Sequence, residues 1–238
     1  MKNKKINTKI NKKKFYQTIM IVGNYSWFFY QEACAVALEK LGVSVIRFSW
    51  FDDFWKKRSS KEKQFFHSFW HKLQFRFSKG PIIWKINKRL IECAFKNKPN
   101  IIWFYNVHLI DPKTIMKLKK LLPKTTFVQY ANDNPFSFKA IRGFWRNFIK
   151  SIPLFDIHLS YRENDIIQFK KYGAKSVHVL RSYFIPEEDY HVDYKDIPEK
   201  FKCDVVFVGH YENDGRLEML EAISKAGYKL NLFGTGWN

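Results

Sequence analysis

The chain has 238 residues, 46% of them hydrophobic and 18% aromatic, with a formal net charge of +20. That length suits one or two domains, and that apolar content excludes a disordered chain. The charge calls for an anionic partner or surface, and it is uneven: residues 181–238 hold 7 Lys+Arg against 11 Asp+Glu, which leaves 35 against 11 in residues 1–180.

Residues 1–14 read as a solvated basic tail. The "TIMIVG" that follows (18–23) is too short for a signal-peptide core, and no apolar run approaches the roughly 18–20 residues needed to span a bilayer. Cys34, Cys93 and Cys203 each sit in an apolar run with no metal-ligand spacing, so buried free thiols and a reducing cytoplasm are expected. Peripheral contact with the inner face of the membrane would suit the charge.

"TIMIVG" is all apolar and reads as a buried strand. A helix near 28–41 follows, with Phe29, Ala33, Val36, Ala37 and Leu41 on one face at helical spacing and Gly42 closing it. Further strands are predicted at 43–48, 100–105, 125–130, 155–160 and 175–180. Helices are predicted near 112–121, 138–150 and 162–172. Strands separated by helices imply a doubly wound, Rossmann-like parallel sheet over residues 15–183.

Two stretches break the alternation. Residues 56–98 carry 13 Lys+Arg against 2 Asp+Glu and turn at Gly80-Pro81, which reads as an inserted helical hairpin. Phe65, Phe66, Phe69, Trp70 and Leu73 share one of its helical faces. That face suits an anionic membrane surface; it equally suits packing on the sheet. Nucleic acid is the weakest option, since no nucleic-acid-binding module is present. Residues 184–202, with two prolines and six acids in "FIPEEDYHVDYKDIPEK", read as a linker.

The opening pattern then recurs. "IMIVGN…LEKLGVSVIRF" and "VVFVGH…ISKAGYKLNLF" each run strand, Gly, helix, Gly, strand, with 19 residues from Gly23 to Gly42 and 18 from Gly209 to Gly227. Residues 203–238 therefore start a second Rossmann-like domain.

Candidate chemistry lies in the loops after strands, where doubly wound folds bind ligands. Gly209 lets the chain turn, helix N-terminal amides favour an anion, and Arg216 can fork onto phosphate. No GxGxxG or GxxxxGK[ST] motif supports this, so an ordinary turn stays open. Gly23 and Asn24 form a similar loop without a cation, able to contact a sugar or to be a tight turn. In "YANDNPFSF", Asp133 is a candidate general base or hydroxyl acceptor and Asn134 a companion, although both are turn formers. His108 lies at the same edge, as a ligand contact or as a structural histidine. No Ser-His-Asp order, HExxH or close carboxylate pair marks a hydrolase.

Together "VVFVGHYENDGRLEMLEAI…LNLFGTGW", "YANDNPF" and "IMIVGN" resemble the CgeB-like (spore-protein-like) glycosyltransferases, of GT-B type and related to glycosyltransferase family 4. The resemblance covers roughly 18–238 and is strongest at 203–237. It implies two Rossmann-like domains, no obligatory metal or cofactor, a nucleotide-sugar donor and a glycan or lipid-linked acceptor. It places Gly209 and Arg216 near the donor diphosphate and Gly23 and Asp133 on the acceptor side, and it matches Gly234 and Gly236, as further substrate-binding candidates, to a Gly-x-Gly-Trp-like end after the last strand. A complete donor domain needs on the order of 150 residues, so this chain is expected to carry only its first piece. A non-catalytic protein docking on an anionic membrane or a partner subunit is the alternative.

Overall fold

A computed structural model describes residues 17–55, 64–136 and 143–237, with side chains omitted at 52, 55 and 64–68. The expected basic tail, the start of the hairpin and the front of the 138–150 helix lie outside those residues. The chain divides into two units, 1–185 and 186–238.

The first unit is an α/β Rossmann-like fold. Its strands are β1 (Thr18–Gly23), β2 (Ser44–Ser49), β3 (Ile101–Tyr105), β4 (Thr126–Ala131), β5 (Ile157–Ser160) and β6 (Val177–Val179). They form one sheet in the order β2-β1-β3-β4-β5-β6, every pair parallel. Strand residues alternate between two faces, and both faces are apolar because helices cover each. Met20, Val22, Ile102, Phe104 and Phe127 enter one core. Ile19, Ile21, Tyr105 and Tyr130 enter the other.

The helices are α1 (Ala33–Lys40), α2 (Phe51–Trp55), α3 (Gln64–Phe77), α4 (Pro81–Asn97), α5 (Pro112–Leu121), α6 (Arg146–Ser151) and α7 (Asp165–Lys171). Helix α1 corrects the sequence expectation. A π-helical turn at Phe28–Glu32 precedes it, with Tyr30 outside helical geometry at φ −109°, ψ −106°. The kink at Tyr30 breaks the helical period, and beyond it Gln31, Ala33 and Ala35 are buried while Leu41, like Phe29 before it, is exposed. The three cysteines are free, as expected, but only half-buried.

The basic hairpin is helical where described. Pro81 suits the first turn of α4, since its missing N–H has no helical partner anyway. Gly80 has φ +124°, and a Cβ there would strike the Gln74 side chain, whose Oε1 accepts from Ile82 N at 2.9 Å. Ile83, Ile86, Leu90 and Ala94 bury the inner face of α4 in the core. Asn87 is also buried; its amide donates to the Ile83 and Leu109 carbonyls and its Oδ1 accepts from Asp111 N at 2.9 Å. Asp111 in turn caps α5 by accepting from Lys113 N. This hub ties the hairpin to the loop that leaves β3.

The second unit holds β7 (Val205–Val208), α8 (Arg216–Lys225) and β8 (Leu230–Phe233), with β7 parallel to β8. The segment read as a linker contains two short 3₁₀ turns, Tyr194–Asp196 and Glu199–Phe201.

Candidate functional site

In the first unit, β1 lies between β2 and β3, so successive connections leave β1 in opposite directions along the sheet. A crevice at the carboxyl ends of β1 and β3 is the ligand position in such sheets. The loops that leave β1, β3 and β4 carry the predicted residues.

Gly23 ends β1, and its carbonyl accepts from Trp50 N at 3.2 Å. A Cβ at Gly23 would collide with the buried Gln31 side chain. Asn24 turns on itself: its Oδ1 accepts from Ser26 N and Ser26 Oγ, both at 2.5 Å. Tyr25 takes φ +57° and donates its hydroxyl to Ile21 O. Burial pushes the Tyr25 phenol well above its ordinary range.

Asp133 is exposed and accepts a hydrogen bond from Asn106 Nδ2 at 2.6 Å, which joins the β3 and β4 loops. Asn106 holds φ +52°, a conformation asparagine tolerates better than most residues. Its backbone N–H donates to Tyr130 O. Its Oδ1 is buried without a hydrogen-bond partner among the described residues, as is Oδ1 of Asn132. Asn134 forms an Asx turn, accepting from Phe136 N at 2.9 Å. Sequence reading passed over Asn106 and Asn132. The only signal was an asparagine directly after each strand.

His108 sits beneath this edge and not on it. It is 3% exposed. Its ring lies 3.4 Å from that of Phe144, with Phe75, Trp50 and Trp145 packed edge-on around it. Neither ring nitrogen has a hydrogen-bond partner among the described residues. Desolvation lowers its pKa to about 3, so the imidazole is neutral near pH 7. Ligand contact through His108 would require the aromatic packing to open.

Tyr183 fastens the π turn on the opposite face. Its hydroxyl lies 3.0 Å from both the Phe29 and Tyr30 carbonyls and accepts from Cys34 Sγ at 3.4 Å. Burial raises the Cys34 thiol above its ordinary pKa, so it is not an activated nucleophile.

The second unit gathers the predicted residues Gly209, Arg216, Gly234 and Gly236 into one loop cluster. Gly209 N donates to Phe233 O, and Tyr211 N to Thr235 O, continuing the β7–β8 pairing into both loops. Trp237 Nε1 donates to Gly209 O at 2.6 Å. Gly234 holds φ +144°, and a Cβ there would overlap the Gly209 carbonyl; Gly236 holds φ +83° against Tyr211. The glycines thus allow two backbones to approach, a role the sequence pattern alone did not separate from ligand contact.

Arg216 opens α8, and its guanidinium folds back over its own loop. It donates to both Asp214 oxygens at 2.7 and 2.6 Å, to His210 O at 2.6 Å and to Glu212 Oε2 at 3.0 Å. Hydrogen bonding from Arg216 holds the Asp214 carboxyl below its usual range. Among the described residues, no group of three His, Cys, Asp or Glu is placed to hold a metal, and no helix is long and apolar enough to cross a membrane.

No protein-family model matches the chain, and no curated protein sequence matches it. Solved structures do. A UDP-N-acetylglucosamine 2-epimerase structure from Listeria monocytogenes aligns with TM-score 0.54 at 11% identity, over 94% of this chain and 63% of that one. A Staphylococcus aureus MnaA–UDP structure gives 0.55 at 12%, over 91% and 60%. An Escherichia coli trehalose-6-phosphate structure bound with UDP-2-fluoro glucose gives 0.52 at 13%, over 90% and 63%. At such identities the likeness is one of fold: Rossmann-like α/β, of the kind found in GT-B glycosyltransferases and related enzymes. The chain spans less than two thirds of the length of these neighbours.

Proposed function

We propose that the chain belongs to a GT-B-type glycosyltransferase, contributing the acceptor-side domain and the opening βαβ unit of the donor domain. The finer reading, a CgeB-like enzyme that transfers a sugar from a nucleotide-sugar to a glycan or lipid-linked acceptor, rests on the same residues. The observation that carries it is the Asn106–Asp133 pair at the carboxyl edge of the sheet, beside the Gly23 turn. Its support is the fold likeness to structures that carry UDP or a UDP-sugar.

For the first unit, this reading makes the Asp133 carboxylate the base that takes the proton of an acceptor hydroxyl. For the second unit, taken by itself, it makes the N-terminus of α8 and Arg216 the holding point of a donor diphosphate. The carboxylates that now hold Arg216 must yield first, so Asp214 competes with the donor.

That commitment of Arg216 favours a second reading, a non-catalytic binding or scaffold protein whose loop is already neutralised. Titration calorimetry with a panel of nucleotide-sugars, on a chain extended to a full second domain, separates the two. The transferase reading predicts heat with at least one of them, weakened by Arg216→Ala. No heat across the panel, or affinity indifferent to Arg216, favours the scaffold.

A further inference from the structure

We infer that the α3–α4 hairpin is a docking surface for an anionic lipid bilayer. This does not depend on sugar transfer. The sequence left open whether the hairpin aromatics pack on the sheet. The inward places are filled by other residues: Phe75 from α3 meets Trp50 and Phe54, and Ile83, Ile86 and Leu90 from α4 are buried. The core is thus closed without Phe69, Trp70, Phe77 and Trp84, which are 63, 62, 56 and 67% exposed.

The outer face of a surface helix is normally polar. With Phe95 of α4, also exposed, five large exposed aromatics among the described residues of one hairpin therefore mark an interaction surface. Their neighbours decide what kind. Residues 64–98 hold eight Lys or Arg and a single acid, Glu92. Lys88 Nζ lies 5.4 Å from the centroid of the Trp84 ring, and Lys72, Arg76 and Lys85 are exposed on the same two helices. An indole at headgroup depth, with lysine ammonium groups reaching phosphates beside it, is the interfacial arrangement of peripheral proteins. A protein partner is disfavoured because lysine is depleted at protein interfaces. Nucleic acid is disfavoured because stacked bases are held on grooves and sheet platforms, and no such platform accompanies these helices among the described residues.

Co-sedimentation of the full chain with vesicles tests this, comparing mixed phosphatidylglycerol–phosphatidylcholine with pure phosphatidylcholine. The chain should bind the anionic vesicles and release as salt rises. Each lysine near an anionic surface contributes a factor of about five, so Lys72→Gln/Lys85→Gln/Lys88→Gln should weaken binding about 100-fold. Trp70→Ser/Trp84→Ser should weaken it independently, by about tenfold or more. Circular dichroism confirms that both variants fold, which their exposed positions favour; the two sets are independent, so either alone can decide.

Three results overturn the inference. One is no anionic-vesicle binding at low salt. Another is binding equal to pure phosphatidylcholine, or unchanged in both variants. The third is self-association, or capture of double-stranded DNA, that the same substitutions abolish while vesicles are ignored.

Discussion

His108→Phe isolates a titration that the fold imposes. The wild-type imidazole is walled in by Trp50, Phe75, Phe144 and Trp145, and desolvation lowers its pKa from 6.5 to about 3. The folded chain therefore refuses a proton that the unfolded chain accepts below about pH 6.5. The unfolded state binds more protons in that window, so stability is whole above it and is lost as pH falls. Each pH unit below 6.5 costs about 1.4 kcal/mol, or about 2 kcal/mol at about pH 5. His158, lowered to about 4 by burial, adds a similar loss. Phenylalanine keeps the ring packing and cannot titrate. Urea unfolding at several pH values should show wild type losing about 4 kcal/mol between neutral pH and about pH 5, and His108→Phe about half of that. The slope is what matters, so any constant overpacking cost drops out. Equal acid slopes in the two proteins would refute the buried neutral His108.

Three other substitutions probe the remaining geometry. Asp214→Asn should tighten nucleotide-sugar binding in calorimetry, because it frees Arg216 from its strongest partner. Gly234→Ala should raise hydrogen exchange at Val205–Val208 and cost about 1–3 kcal/mol, since the Gly209 carbonyl occupies the place of the new Cβ. Asp156→Ala should lower stability by about 1–3 kcal/mol in thermal melting, because Asp156 accepts from Phe127 N at 2.9 Å and from Lys119 at 2.7 Å.

Much of the fold was legible because buried parallel strands leave unmistakable apolar runs. β1 matches its predicted bounds, and the other five strands of the first sheet start one or two residues later than expected, where pairing begins. The face of α1 was not legible, because the chain kinks at Tyr30, which a continuous 3.6-residue period cannot anticipate. The site was partly legible. Asp133 stands at the sheet edge as read, but its partner Asn106 comes from a loop 27 residues away in sequence, and local motifs do not report such pairs. Arg216 was visible as a cation, whereas its capture by Asp214 and Glu212 depends on how the loop closes. For His108, position after a strand was visible and burial was not, because Phe144 arrives from a distant segment.

The central claim is that the chain carries the start of a nucleotide-sugar site. Amide hydrogen exchange on a chain extended to a full second domain, with and without UDP-sugars, reads it most directly. The account predicts protection confined to Gly209–Arg216 and the first turn of α8, diminished in Arg216→Ala. Exchange in that segment unchanged by every nucleotide-sugar at saturating concentration would contradict it.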